Sequence, residues 1–208
     1  MPLQNRVDPF GSIHAVSARG AMMGNRGGRI HDPASKSIKR RFASKRWIAC
    51  VCQFRGRKRT VMGNSYTELF FLDEVTALAA GHRPCAECRN ADFKRFSSIW
   101  KQAFGLADMP KAGEMDAVLH RERSVSGTGP QTLDARALPA IPDGAMIAQN
   151  GIAWALRAQT ALRWSFEGYG RPFQFGAFEG TVSLLTPPGI VKALKSGYQA
   201  AWHSSADR

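Results

Sequence analysis

A chain of 208 residues, 44% of them hydrophobic and 22% charged, is long and apolar enough to bury a core, which excludes a disordered tail. No apolar run reaches the roughly 18 residues of a membrane helix, and Met1 to Arg6 lack the apolar stretch of a signal peptide, so a cytoplasmic protein with no membrane partner is expected. The net charge of +13 is concentrated: residues 1–60 carry 14 Lys and Arg against 2 acids, residues 61–208 carry 15 against 14.

Residues 5–35 read as short strands and turns, with Ser12 to Val16 alternating and Gly24-Asn25-Arg26-Gly27-Gly28 giving a loop signal. The basic block follows. Between Lys36 and Arg59 it holds Arg40, Arg41, Lys45, Arg46, Arg55, Arg57, Lys58 and Arg59 and no acid. An Arg-rich block of this kind fits a surface that contacts phosphates, and its plain alternative is a solvated basic face without a partner.

Trp47 to Phe54 is rich in aromatic and β-branched residues and predicts a strand, with a turn at Arg55-Gly56-Arg57. Period 2 along that strand places Cys50 and Cys52 on one face. A second strand is expected over Lys58 to Met62 and a third over Tyr66 to Phe71. Asp73 then suits the N-cap of a short helix, Glu74 to Ala80, that Gly81 ends. Beyond Pro84-Cys85-Ala86-Glu87-Cys88, a second helix presents Phe93, Phe96, Ile99, Trp100, Ala103 and Phe104 on one face and stops at Gly105.

Residues 109–142 are broken by Pro and Gly around one helix candidate, Glu114 to Arg123, and read as a linker or inserted arm. From residue 143 apolar runs flank Asn150-Gly151, the signature of a tight hairpin, and predict a β-meander. Thr186 caps a final helix opened by Pro187-Pro188. The expected class is therefore α+β: a basic zinc-binding region over 1–108 built on a zinc-stabilised hairpin and helices, the linker 109–142, and a meander closed by a helix over 143–208.

All four cysteines lie in two close pairs, Cys50-x-Cys52 and Cys85-x-x-Cys88, separated by thirty-two residues. Thiols of a cytosolic protein stay reduced, so paired cysteines there favour metal binding, zinc foremost, or redox chemistry over disulfides. The Cys85–Cys88 spacing is that of a zinc knuckle, and Cys50 and Cys52 complete a four-sulfur set. His82, three residues before Cys85, is an alternative to Cys52, and burial of some cysteines as small hydrophobes is the bland alternative.

Phe70 to Arg89, with its Ala79-Ala80-Gly81-His82-Arg83-Pro84-Cys85-Ala86-Glu87-Cys88 core, resembles the second half of the zinc-binding domain of the Ada family of methyl-phosphotriester repair proteins. The likeness covers about 20 residues closely and about 45 loosely, from Arg46. It implies one zinc on Cys50, Cys52, Cys85 and Cys88, a domain lying against the DNA backbone with Arg83 and Arg89 beside phosphates, and Cys50 as methyl acceptor. The first pair departs from the family, whose two cysteines there are separated by three residues rather than one. The flanks, Gln4 to Gly11 and Thr186 to Pro188, resemble conserved bacterial proteins and imply no activity.

Two enzymatic patterns are present in part. Pro84-Cys85-x-x-Cys88 and His120-Arg121-Glu122 are the pieces of a zinc deaminase in reversed order. Asp116, His120, Glu122 and Arg123 could supply a nuclease, although a polar surface helix accounts for them as well. The reading that follows is a zinc-containing protein that binds nucleic acid, DNA foremost, through phosphate contacts. The alternative is a metal-dependent enzyme on nucleic acid, either a nuclease with His120 and Glu122 or a methyl acceptor at Cys50.

Overall fold

The computed structural model describes residues 1–58, 60–123 and 130–207. Its elements in chain order are β1 (Arg6–Val7), β2 (Ile13–His14), β3 (Met22–Arg26), β4 (Trp47–Val51), β5 (Leu69–Phe71), α1 (Glu74–Ala79), β6 (Arg83–Pro84), α2 (Asn90–Ala103) and α3 (Ala112–Glu122). Then come β7 (Gln131–Asp134), β8 (Met146–Gln149), β9 (Ile152–Arg157), β10 (Thr160–Ser165), β11 (Gly168–Gln174), β12 (Thr181–Leu184) and α4 (Pro188–Lys195). This is the expected α+β class. Among the described residues, no helix is long and apolar enough to cross a membrane.

The first sheet runs β2-β1-β5-β3-β4-β6, and two of its pairings, β1 with β5 and β4 with β6, are parallel. The second runs β11-β10-β9-β8-β12-β7 and is antiparallel throughout. Its β8–β9 turn is the expected Asn-Gly one, with φ of 52° at Asn150 and 75° at Gly151. The next hairpin places Ala158 and Gln159 at φ 47° and 60° without a glycine. There the carboxylate of Asp143 accepts from the Ala158 N–H, at 3.0 Å to each oxygen, and supports the turn from outside.

Helix α1 follows its sequence signals closely. Asp73 caps it by accepting from the Thr76 N–H at 2.9 Å, and Gly81 follows the C-cap with φ +80°. A β-carbon on Gly81 would also stand 2.7 Å from Arg123 Cγ, so both backbone and packing require glycine. Buried Leu72, Val75 and Ala79 pack against Met146, Ala153, Ala155 and Leu162 of the meander. Leu78, with Phe96 and Trp100 of α2, joins Met115 and Leu119 of α3 and Ile190 and Leu194 of α4. Residues 109–142 thus contribute α3, β7 and buried core positions.

Some local expectations give way to tertiary pairing. Gly24-Asn25-Arg26 is not a loop but the second half of β3, because β4 and β5 flank that strand so closely that a β-carbon on Gly24 would stand 2.2 Å from the Ile48 carbonyl oxygen. The expected strand over Lys58 to Met62 is absent among its described residues, where Val61 and Met62 form a turn. Thr186 does not cap α4: Pro187 stands at the cap, and the Thr186 hydroxyl accepts from the Met146 N–H at 2.8 Å.

Two of the buried arginines, Arg83 and Arg89, are paired with acids. Arg83 donates from two nitrogens to the two oxygens of Asp116, at 2.9 and 2.8 Å, tying β6 to α3 in a buried fork. Removing one partner of such a pair strands the other charge. Asp116→Ala is expected to cost about 3–5 kcal/mol in urea denaturation, whereas the paired change Arg83→Met with Asp116→Leu should recover most of the loss.

Candidate metal centre

Cys50 lies on β4, and Cys85 and Cys88 lie just after β6. The β4–β6 ladder pairs Ile48 with Arg83 and Ala49 with Pro84, and the Cys85 N–H donates to the Ala49 carbonyl at 2.9 Å. That parallel register carries the knuckle alongside Cys50. The three sulfurs lie within 4.8 Å of one another. A tetrahedral zinc with Zn–S bonds of about 2.3 Å needs sulfurs about 3.8 Å apart, so a small inward movement of the side chains accommodates the ion.

The thiols already share their protons unequally. Cys85 is drawn down to about 5, chiefly by a hydrogen bond from Cys50 against the opposing effect of burial, with backbone N–H groups of Cys88 and Glu87 adding to it. The Glu87 nitrogen stands 3.4 Å from the Cys85 sulfur. Cys50 is pushed up, first because it donates to Cys85 and then by burial, and Cys88 is pushed up chiefly by burial. Three neighbouring thiols are a donor set that a soft or borderline cation can complete by displacing protons.

Cys52 stands outside this group. β4 ends at Val51, the last residue paired to β3, and the Cys52 sulfur turns to donate to the Ala21 carbonyl at 3.4 Å. Period 2 put Cys50 and Cys52 on one face only as long as the strand continued. His82 also lies elsewhere: it is fully buried, 5.0 Å from the Trp47 ring and 4.7 Å from Phe71, and burial holds its pKa well below the ordinary value. Arg26 and Arg123 both place their guanidinium groups over Trp47, at 4.1 and 4.3 Å.

The basic candidates divide by burial. Arg40, Arg41, Lys45, Arg46, Arg55, Arg57 and Lys58 are exposed, and Arg59 lies outside the described residues. Arg57 pairs with Glu87 at 2.6 Å, between Cys85 and Cys88, and Arg40 donates to the Arg29 carbonyl. Arg83 and Arg89 are buried. Arg83 serves Asp116, and Arg89 bridges Glu74 and Asp92, each at 2.8 Å. Their guanidinium groups hold the knuckle to the helices around it. His120 packs edge-on against Phe42 at 5.1 Å, while Glu122 accepts from the Gly189 N–H at 2.8 Å in the first turn of α4.

The three cysteines and Cys52 also line a cleft of about 210 Å³, with Phe54, Phe70, Ile48 and Glu68 among its walls. Glu68 escaped the reading of the sequence. Its signal was an acid in Thr67-Glu68-Leu69-Phe70-Phe71, next to a run that otherwise demands burial. Metal content of purified protein separates the thiols: Cys50→Ser, Cys85→Ser and Cys88→Ser should each weaken metal binding at least tenfold, about 1.4 kcal/mol, while Cys52→Ser should retain the ion.

No family model, curated protein or solved structure matches the chain.

Proposed function

We propose that the protein holds one zinc ion on Cys50, Cys85 and Cys88 and binds nucleic acid, DNA foremost, through phosphate contacts made by its basic surface. The observation that carries the first half is the convergence of three sulfurs from two distant segments to within 4.8 Å of one another. Thiolate ligands favour zinc over magnesium or calcium, which take oxygen.

Support for the second half comes from charge and exposure. Lys45 and Arg46 lead directly into β4, and Arg55 and Lys58 follow it, so exposed cations bracket the strand that carries Cys50. These cations lie within the first 60 residues, which carry 14 Lys and Arg against 2 acids. Such a face neutralises phosphates and releases their counterions. In this reading the metal fixes the loops that present the cations, and the Ada-like order of strand, capped helix and Pro-Cys-x-x-Cys serves the same end.

A second reading, a metal-dependent enzyme acting on nucleic acid, is favoured by one observation: three thiols leave the fourth position of a tetrahedral ion to another donor. For a methyl acceptor in this setting, the candidates are the sulfurs of Cys50, Cys85 and Cys88, which would be nucleophilic as zinc-bound thiolates. The nuclease pair fares less well, because Glu122 is engaged at the start of α4.

Elemental analysis of anaerobically purified protein should find one zinc per chain, and a chain without metal would sink the first half. If Lys45, Arg46, Arg55 and Lys58 each neutralise one phosphate, duplex affinity should fall with salt at a log–log slope of about −4. Arg55→Ala with Lys58→Ala should reduce that slope by about 2. A slope near zero in the unaltered protein would remove the phosphate contacts.

A further inference from the structure

The cleft beside the three sulfurs has features that a structural metal knot does not need. Glu68 is only 1% exposed. Its Oε2 accepts from the Met62 N–H at 2.8 Å, but Oε1 has no hydrogen-bond partner among the described residues. A buried carboxylate oxygen without a donor is costly, and few native structures keep one without a reason. Glu68 borders the cleft, so a molecule inside it can supply the missing donor.

The other walls define that molecule. Phe54 and Phe70 offer aromatic surface, and Ile48 is apolar. At about 210 Å³ the space is smaller than the roughly 300–1,000 Å³ of sites for drug-sized ligands. One planar ring system fits that description. Arg57 also lines the cleft, and Arg55 and Arg57 place their guanidinium groups 5.0 and 5.2 Å from the Phe54 ring, so cations and an aromatic wall share one loop.

From these observations we infer that the cleft is a binding site for a single unpaired nucleobase: its ring lies against Phe54 and Phe70, an N–H or amino group on its edge donates to Glu68, and its phosphate meets the Arg55–Lys58 loop. Stacking on aromatic side chains with hydrogen bonds to an exposed base edge is how unpaired bases are recognised in general. The phosphate contact rests on the basic-face reading above, whereas the base contact stands on the cleft alone. The base can come from a free mononucleotide or from a strand whose base is unstacked.

Calorimetric titration of the zinc-loaded full chain distinguishes these sources. The probes are AMP, GMP, CMP and UMP, ribose 5-phosphate, a twelve-nucleotide single strand and its blunt duplex. At least one mononucleotide or the single strand should bind at least tenfold tighter than ribose 5-phosphate. Glu68→Gln leaves one accepting oxygen, which the Met62 N–H occupies, and turns an NH2 donor toward the base edge, so it should abolish that advantage. The same variant should keep its circular dichroism and its duplex affinity. Binding of mononucleotides and strand alike marks the free nucleotide as sufficient, and binding of the strand alone marks a base within nucleic acid.

No base-dependent gain over ribose 5-phosphate, or an equal gain in Glu68→Gln, overturns the inference. Should Glu68→Gln fail to fold, Phe54→Ala, at a half-buried position, should lose the same advantage, and retention there overturns it equally. Loss of duplex binding with mononucleotide binding intact would count against the basic face and leave the cleft standing.

Discussion

Two adjacent buried acids, Asp73 and Glu74, hold the halves of this protein together. The oxygens of Asp73 accept from the Thr76 N–H and hydroxyl, from the Tyr169 hydroxyl at 2.8 Å and from the His203 N–H at 3.0 Å. Glu74 accepts from the Tyr198 hydroxyl at 2.7 Å, from the Ala201 N–H at 2.9 Å and from Arg89 at 2.8 Å. Carboxylates so deeply buried are tolerable only when most of their lone pairs are occupied. Satisfying them recruits β11, the segment after α4 and the residue next to Cys88, so the N-terminus of α1 is a junction among three parts of the chain.

The metal centre depends on that junction indirectly. Arg89 is fixed by Glu74 and Asp92, and Arg83 by Asp116, so both arginines that flank the knuckle are anchored in the interior. The β4–β6 ladder sets the distance from Cys50, and the two anchored arginines set the orientation of Cys85 and Cys88. Charge that looks, in a string of letters, like a surface for phosphates is here part of the scaffold. The exposed cations are instead those before and after β4.

What could be read from the sequence divides along the same line. Features determined by neighbours in the chain were legible: the Asp73 cap and Gly81 end of α1, the aromatic stripe of α2, the Asn150-Gly151 turn, and the Cys85–Cys88 knuckle. Features determined by partners far along the chain were not. Gly24 carries a loop signal, yet the carbonyl of Ile48 and the ring of Phe71 leave no room there for a side chain. The face of Cys52 depended on where pairing with β3 stopped, and the depth of Arg83 depended on Asp116, 33 residues away. Glu68 was passed over because a lone acid beside an apolar run gains meaning only once a cleft lies next to it.

The long reach of the Asp73–Glu74 junction also fixes an order of events during synthesis. At about 5–20 residues per second, Cys88 follows Cys50 out of the ribosome by roughly 2–8 s. Tyr198 and His203, which complete the junction, come more than a hundred residues after Cys88 and so roughly 6–23 s later at the same rates. The nascent chain therefore passes through an interval in which all its thiols are in solution together while the acids that anchor α1 are still hydrated. During that interval the cysteines meet metal ions and oxidants before the finished protein buries Cys50 and Cys85.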